Sequence, residues 1–184
     1  MEQEGVLEHI GMLAEVWTDV IVVDVPHADR LTILQQIRMI KAEYDWMPLM
    51  VGSVETRSGA KNIIDAGADI VLVGRGSSSL AEATELSGVG VPELSALMEA
   101  EDVASLYGKP VVCNLGVETA ASAVKALAAG AGAVVLHRLT PETAEDAMRS
   151  MRRQLSESLS YVGAQTIAEL REKAEFVRIR PRGV

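Results

Sequence analysis

A recurring sequence unit constrains the fold of this chain more than any other feature. The segment DAGADIVLVGRG at Asp65–Gly76 is echoed by AAGAGAVVLHRL at Ala128–Leu139 and, more faintly, by EVWTDVIVVDVP at Glu15–Pro26. Each copy is typical of a helix end, a turn of small residues, a buried strand and a loop. Repeated helix–strand units with short connections build a parallel sheet. We therefore expect an α/β fold that forms a (β/α) barrel or part of one.

The composition favours the same architecture. Hydrophobic residues make up 48% of the 184 residues, whereas aromatic residues make up only 3%. The core is therefore aliphatic, which favours a parallel sheet covered by helices over an aromatic-rich sandwich. The length and the lack of a linker predict a single domain over residues 1–184.

Charge and cysteine content argue against several classes of protein. The net charge of −9 disfavours nucleic acid and anionic membranes as partners. The single cysteine, Cys113, excludes an intramolecular disulfide and fits a reducing compartment. We expect a cytoplasmic protein, because the sequence has no signal-peptide pattern and no apolar run of membrane-spanning length. The three histidines and the cysteine show no metal-ligand spacing, so no metal is expected.

Hydrophobic periodicity places the secondary-structure elements. Five strands are predicted, at Asp19–Asp24, Trp46–Gly52, Asp69–Val73, Pro110–Asn114 and Ala133–His137. Helices are predicted at Val6–Trp17, Arg30–Tyr44, Ala60–Asp65, Ser95–Tyr107, Thr119–Ala129, Pro141–Leu159 and Thr166–Lys173. Asp29 is expected to cap the second helix and Thr166 the last one, and Gly108 is expected to end the fourth.

The number of strands is too small for a closed barrel. A TIM-type barrel has eight parallel strands in about 250 residues. We therefore predict an incomplete parallel (β/α) barrel of the TIM type, with about five of the eight strands. Its first and last strands would be open, apolar edges, which aggregate or recruit a partner. A homo-oligomer, or a second chain that supplies the missing strands, is expected.

Several longer segments carry a family resemblance. The chain resembles the C-terminal part of the catalytic barrel of the IMP dehydrogenase / GMP reductase family. The segments are DVIVVDVPHAD (Asp19–Asp29), VGSVETRSGAKNIIDAGADIVLVGRG (Val51–Gly76), GVGVPELSALMEAEDVASLYGKPVV (Gly88–Val112), VKALAAGAGAVVL (Val124–Leu136) and YVGAQTIAELREKAEFVRI (Tyr161–Ile179). The resemblance implies an oxidoreductase of purine nucleotide metabolism that acts on IMP or GMP with NAD(P). It also implies three further barrel strands before the first residues of this sequence. In addition, it implies a mobile flap between the last strand and the C-terminal segment, where this chain has only the short helical stretch Pro141–Ser160.

The catalytic position of the family is altered. The resemblance implies a loop of the form Gly-x-Gly-x-Gly-Ser-x-Cys-x-Thr whose cysteine attacks C2 of the purine. Aligned back from the GVGVP segment, that cysteine position is Ala81 and the threonine position is Ala83. Alanine cannot form the covalent intermediate. Cys113 is not a substitute, because a strand is predicted there and a small core residue is the better interpretation.

The ligand contacts implied by the resemblance are partly kept. The predicted substrate- and phosphate-binding positions are Gly74, Gly76, Ser78, Ser79, Asn114, Gly116, His137 and Arg138. The resemblance implies an aspartate at the position of Asn114. At the position of Leu115 it implies a glycine, which allows close backbone approach. His137 and Arg138 replace a Gly-Ser pair. Asp24 and Ser53 are the cofactor-side positions, Ser53 in place of an asparagine.

Each of these positions also has a purely structural interpretation. Asp24 could cap a turn, and Gly74 and Gly76 could serve only to make one. The serines at 77–79 could form a solvated loop, and His137 with Arg138 a surface ion-pairing site. His27 is better interpreted as a surface loop residue than as an acid–base group.

Three hypotheses follow from the sequence. The first is a non-catalytic relative that retains weak nucleotide or phosphate binding. The second is an active NAD(P)-dependent oxidoreductase that takes its thiol from elsewhere, such as a partner chain. The third is a self-associating or barrel-completing structural module.

Overall fold

Five short strands form one parallel sheet in the computed structural model of the chain. The structure describes residues 3–74, 88, 90–136 and 144–177. The strands are β1 (Ile21–Asp24), β2 (Leu49–Val54), β3 (Ile70–Val73), β4 (Val111–Val117) and β5 (Ala133–Leu136). Their order in the sheet is their order in the chain, and every neighbouring pair is parallel. This sequential winding is that of a curled part-barrel, as predicted.

Helices connect and follow the strands. They are α1 (Gln3–Glu15), α2 (Leu31–Glu43), α3 (Arg57–Ala66), α4 (Glu93–Ala104), α5 (Ala120–Ala128), α6 (Ala144–Val162) and α7 (Ile167–Lys173), with a 3-10 turn at Ser105–Tyr107. Thr166 caps α7 by accepting a hydrogen bond from the Glu169 amide at 3.1 Å, as predicted. Gly108 follows the 3-10 turn in a left-handed conformation, also as predicted.

The core lies between the sheet and the helices and is aliphatic. Alternate strand residues face the helices, and their side chains belong to one buried cluster with helix residues such as Ile37, Ile63 and Leu97. No aromatic side chain is among the buried core residues of the described chain. The other face of the sheet is less well covered: Val22 is 53% exposed, and Met50, Ile70 and Val112 are partly exposed.

Two strands run further than predicted. Strand β2 continues past Gly52 through Ser53 to Val54, and β4 continues past Asn114 to Val117. Both carry a register shift in this extra part, between Val51 and Val54 in β2 and between Cys113 and Val117 in β4. A bulge lets a strand absorb unpaired residues and stay in the sheet. Ser53, just beyond the predicted end of β2, therefore lies inside the strand, and so does Gly116 in β4.

The predicted capping role of Asp29 is wrong. The residue before α2 is Arg30, whose side chain makes no capping hydrogen bond. Asp29 instead lies beside the first turn of α3, where its Oδ2 is 3.4 Å from the position that a Cβ on Gly59 would take. A carboxylate is favourable near the positive end of a helix dipole, so Asp29 stabilises α3 and not α2.

An ion cluster closes the amino-terminal edge of the sheet. The Asp69 carboxylate accepts hydrogen bonds from the Nζ of Lys41 at 3.0 Å and of Lys109 at 3.1 Å, and from the Leu49 amide at 3.1 Å. Burial raises the pKa of Asp69, but the hydrogen bonds from Lys41, Leu49 and Lys109 outweigh it, so the pKa lies below its ordinary value. The cluster joins α2, β2 and the start of β4.

Candidate functional site

The carboxyl edge of the sheet gathers the described site residues that the sequence predicted. Asp24 ends β1, Ser53 lies near the end of β2, Gly74 directly follows β3, and Asn114 and Gly116 lie in β4. The pairing of Asp24 with Gly52 and of Val73 with Cys113 brings these strand ends level. Ligands of parallel α/β folds bind at this edge, so the structure places these residues where a ligand site belongs.

Five predicted ligand positions lie outside the described residues: Gly76, Ser78, Ser79, His137 and Arg138. The same holds for Ala81 and Ala83 and for the predicted helix start at Pro141. These predictions stay predictions.

Ser53 is the most unusual polar residue of the edge. Its side chain is 2% exposed, and its Oγ has no hydrogen-bond partner in the described structure. Its backbone is well held, since its amide donates to the Val25 carbonyl at 2.7 Å and its carbonyl accepts from Ala28 at 3.1 Å. A buried hydroxyl without a partner costs stability, which marks Ser53 as a group able to bind a ligand.

A small cavity of about 160 Å³ lies beside Ser53. His27 and Asp29 from the loop after β1, and Thr56 and Gly59 from the start of α3, contribute to its wall together with Ser53. Thr56 Oγ1 accepts a hydrogen bond from the Gly59 amide at 3.1 Å, which satisfies one donor of the α3 N-terminus. Because Asp29 already supplies a negative charge there, this cavity favours a neutral or hydrogen-bond-donating group over a phosphate.

Sequence reasoning missed this grouping of His27, Asp29 and Thr56 around Ser53. The sequence placed His27 on a surface loop, and the structure gives it a left-handed backbone with φ of 56°. The detectable signal was the pattern Thr56-x-x-Gly59 after a strand, which is typical of a helix N-terminus at the ligand edge.

Close packing within the protein requires a glycine at position 74. It adopts φ of +93°, and a Cβ at this position would lie 2.7 Å from both the Asn114 backbone oxygen and the Leu115 Cγ, with Leu115 Cδ2 closer still. Leu115 is 8% exposed. The glycine is therefore required by the packing of β4, whatever ligand the loop binds.

Cys113 lies in β4, as predicted, and belongs to the buried core cluster. Its side chain is 1% exposed. Burial raises the pKa of the Cys113 thiol, and the nearby Glu93 carboxylate raises it further, although a hydrogen bond from the Leu115 backbone acts in the opposite direction. A protonated, buried thiol is a poor nucleophile.

The polar residues of the edge are distributed over separate cavities. Asp24 lines a cavity of about 280 Å³ between α1, β1 and α2, and Ser53 lines the one at the start of α3. Gly116 lines a third cavity of about 160 Å³ under α4 and α5, together with Cys113 and Glu93. Asn114 is buried at 7% exposure. The described edge thus presents several small recesses, each lined by both polar and apolar residues.

The described residues contain no group of three or more His, Cys, Asp or Glu side chains positioned to hold a metal ion. Within these same ranges, no helix combines the length and the apolar character needed to cross a bilayer.

A family model described as the IMP dehydrogenase / GMP reductase domain matches residues 2–154. An inosine-5'-monophosphate dehydrogenase of Aquifex aeolicus is 32% identical, over 96% of this chain and 48% of the relative. That of Streptococcus pyogenes is 34% identical, over 90% of this chain and 34% of the relative. The chain thus spans half or less of the length of these relatives.

A solved structure shares the fold. It is GMP reductase from Trypanosoma brucei in complex with guanosine 5'-triphosphate, with a TM-score of 0.82 and 28% identity. The similarity covers 91% of this chain and 42% of that protein. The five-stranded sheet therefore has the curvature of the corresponding part of that structure.

Proposed function

The chain belongs to the IMP dehydrogenase / GMP reductase family, and from this premise we propose that it binds a purine nucleotide without oxidising or reducing it on its own. The observation that carries the proposal is the position of Cys113. The covalent chemistry implied by the family needs a thiolate at the carboxyl edge. The chain's one cysteine is instead buried in the core, with a raised pKa.

Two further observations support the loss of catalysis. The family's cysteine position is Ala81, whose methyl group cannot attack a purine. The match to the A. aeolicus enzyme extends over 234 residues, more than the 184 residues of this chain, so that relative carries additional segments within the matched region. A shortened flap, as the sequence predicts, agrees with this difference in length.

The retained binding is supported by the polar groups at the carboxyl edge. Ser53 offers a hydroxyl without a partner, and Asn114 stands in β4 where the family resemblance implies a ribose contact. An asparagine can hydrogen-bond a ribose hydroxyl but lacks the charge of a carboxylate. Leu115 occupies the space beside Gly74. We therefore expect affinity weaker than that of a family enzyme.

Calorimetric titration with IMP, GMP and GTP, combined with absorbance assays, tests the proposal. We expect binding of at least one nucleotide, no NADH formation with IMP and NAD, and no NADPH consumption with GMP. Turnover that co-purifies with the chain would overturn the loss of catalysis. Absence of heat for all three nucleotides would overturn the binding.

Two variants sharpen the test. Ala81→Cys is expected to remain without turnover, because the shortened flap is not repaired. Asn114→Asp restores the family's residue, so a nucleotide should raise its melting temperature more than that of the wild type. Asn62→Asp, at an exposed position of α3, is the matched control and should leave the nucleotide effect unchanged.

A further inference from the structure

Both tryptophans of the chain lie at the amino-terminal edge of the sheet. Trp17 lies in the turn between α1 and β1, and Trp46 lies in the turn between α2 and β2. The two turns are neighbours, because β1 pairs with β2. Trp17 is 91% exposed and Trp46 is 63% exposed. Tryptophan is on average well buried, and exposed apolar surface of this kind marks binding sites.

The backbone at Trp17 has a conformation that favours glycine. Its φ is +61°, which is left-handed. The Trp17 amide donates to the Ala14 carbonyl at 3.2 Å, and the Thr18 amide donates to the Leu13 carbonyl at 3.4 Å. This pair of hydrogen bonds is the Schellman arrangement of a helix end, whose left-handed residue is usually glycine. A bulky side chain at that position is strained.

The other two copies of the repeated helix–strand unit have glycine at the position of Trp17. The glycines are Gly67 in the copy at Asp65–Gly76 and Gly130 in the copy at Ala128–Leu139. Their φ values are +119° and +109°, and both turns have the same pattern of two backbone hydrogen bonds. The turn therefore needs a left-handed residue and gains nothing from an indole. A side chain held against strain is typical of functional sites.

The two tryptophans line one cavity of about 450 Å³. One wall comes from the end of α1 and the following turn, residues 14, 15 and 17–19, and the other comes from residues 46–48 before β2. Both walls are connections between elements that the structure describes. Met47 contributes a rigid part of the lining, since it is 1% exposed. A cavity of this size suits a small molecule.

The charged side chains that line the cavity are acidic. Glu15 and Asp19 both belong to the lining, which includes no lysine or arginine. Within the described ranges, neither carboxylate has an ion-pair partner. Lys41 donates to the Met47 carbonyl at 3.1 Å, but its charge is paired with Asp69 at 3.0 Å. Aromatic faces and carboxylates attract the same kind of ligand, a cation, and the net charge of −9 adds to this attraction.

We propose that this cavity binds an organic cation that carries a quaternary ammonium group. The methyl groups of such an ion pack on indole faces, and its charge interacts with their π systems. A metal ion is less suited, because tryptophan supplies no metal ligand and the described residues contain no group of three metal-binding side chains. The site lies at the opposite edge of the sheet from Ser53 and Asn114, so it is independent of the nucleotide binding proposed above.

Tryptophan fluorescence tests the proposal directly, because both emitting side chains line the cavity. The probe is choline chloride, its uncharged isostere 3,3-dimethylbutan-1-ol tests the role of charge, and sodium chloride controls for ionic strength. We expect choline to change the emission of the full chain in a saturable way, with a Kd of about 1 mM or tighter. The isostere should bind at least about tenfold more weakly.

The source of the quaternary ammonium group is tested with a second ligand. A short peptide that contains trimethyl-lysine carries the same group as choline. Tighter binding of choline would identify a free small molecule as the ligand, and tighter binding of the peptide would identify a methylated protein. Either result supports a site for quaternary ammonium.

Three variants separate binding from folding, with calorimetric titration of choline as the measurement. Trp17→Gly introduces the glycine of the other two copies, so it should raise the melting temperature and weaken choline binding at least about tenfold. Asp19→Asn should weaken binding about threefold. Glu43→Gln, at an exposed position of α2 outside the cavity, is the matched control and should leave binding unchanged.

The proposal is overturned if choline gives no saturable change, or if the uncharged isostere binds as tightly as choline. It is also overturned if Trp17→Gly binds choline as tightly as the wild type. A lowered melting temperature of Trp17→Gly would show that the indole stabilises the fold, which would overturn the proposal as well.

Discussion

Leu115 packs directly on Gly74, so that a Cβ at position 74 would lie 2.7 Å from the Leu115 Cγ. This contact joins the end of β3 to the middle of β4 at the ligand edge of the sheet. A leucine this close leaves no room for a side chain at position 74. This contact between Leu115 and Gly74 should therefore contribute to the free energy of unfolding.

We expect Gly74→Ala to lower the free energy of unfolding by about 3 kcal/mol, since the new Cβ meets both left-handed strain and a steric collision. Gly108→Ala is the matched control: it has φ of +63° but nothing within 4 Å, so only strain of about 1 kcal/mol remains. Urea denaturation measures the free energy of unfolding of both variants. Equal losses in the two variants would contradict the packing role of Leu115.

Cys113 should be almost unreactive in the folded protein. Because its thiol is buried and its pKa is raised, we expect it to react with a disulfide reagent such as DTNB at least about a hundredfold more slowly than in urea. The control is Ser105→Cys in a Cys113→Ala background, which places a thiol on an exposed residue. Rapid modification of native Cys113 would remove the observation on which the loss of catalysis rests.

Asp69 should make stability depend on acid pH. Its folded-state pKa lies below the unfolded value, so its contribution is present above about pH 4 and is lost as the pH falls through the folded pKa. Asp69→Asn should lower the free energy of unfolding by about 2 kcal/mol at pH 7. The difference in the free energy of unfolding between Asp69→Asn and the wild type should become smaller as the pH falls towards 2.

The control for Asp69 is Asp65→Asn, which removes a solvent-exposed pair with Lys61 within α3. Exposed pairs contribute little, so this variant should show a much smaller loss and a flatter pH dependence. Denaturation curves between pH 2 and pH 7 compare the two. A constant offset between Asp69→Asn and the wild type over that range would contradict the lowered pKa.

Ser53→Ala should stabilise the protein without a ligand. Its hydroxyl is buried and lacks a partner, so removing it is expected to raise the free energy of unfolding by about 1 kcal/mol. Thr56→Val removes a hydroxyl that caps α3, so it should lower the free energy of unfolding by about 1 kcal/mol. Thermal unfolding compares the variants. A destabilised Ser53→Ala would show that the hydroxyl has a structural role.

The repeated helix–strand unit was enough to predict the fold. The β-branched runs and the small-residue turns predict five parallel strands, because such apolar runs are typical of a sheet covered by helices. The family assignment is confirmed by the family model, which matches residues 2–154. Thr166 and Gly108 were predictable because capping depends on a few neighbouring residues.

Other features depended on contacts between distant residues. The sequence alone could not show that Asp29 serves α3, that β2 and β4 continue through bulges, or that Ser53 is buried without a partner. Each depends on how neighbouring strands and helices approach one another. Local sequence determined which strands and helices form, whereas tertiary packing decided which side chains reach the ligand edge, because burial and register arise only when the strands pair.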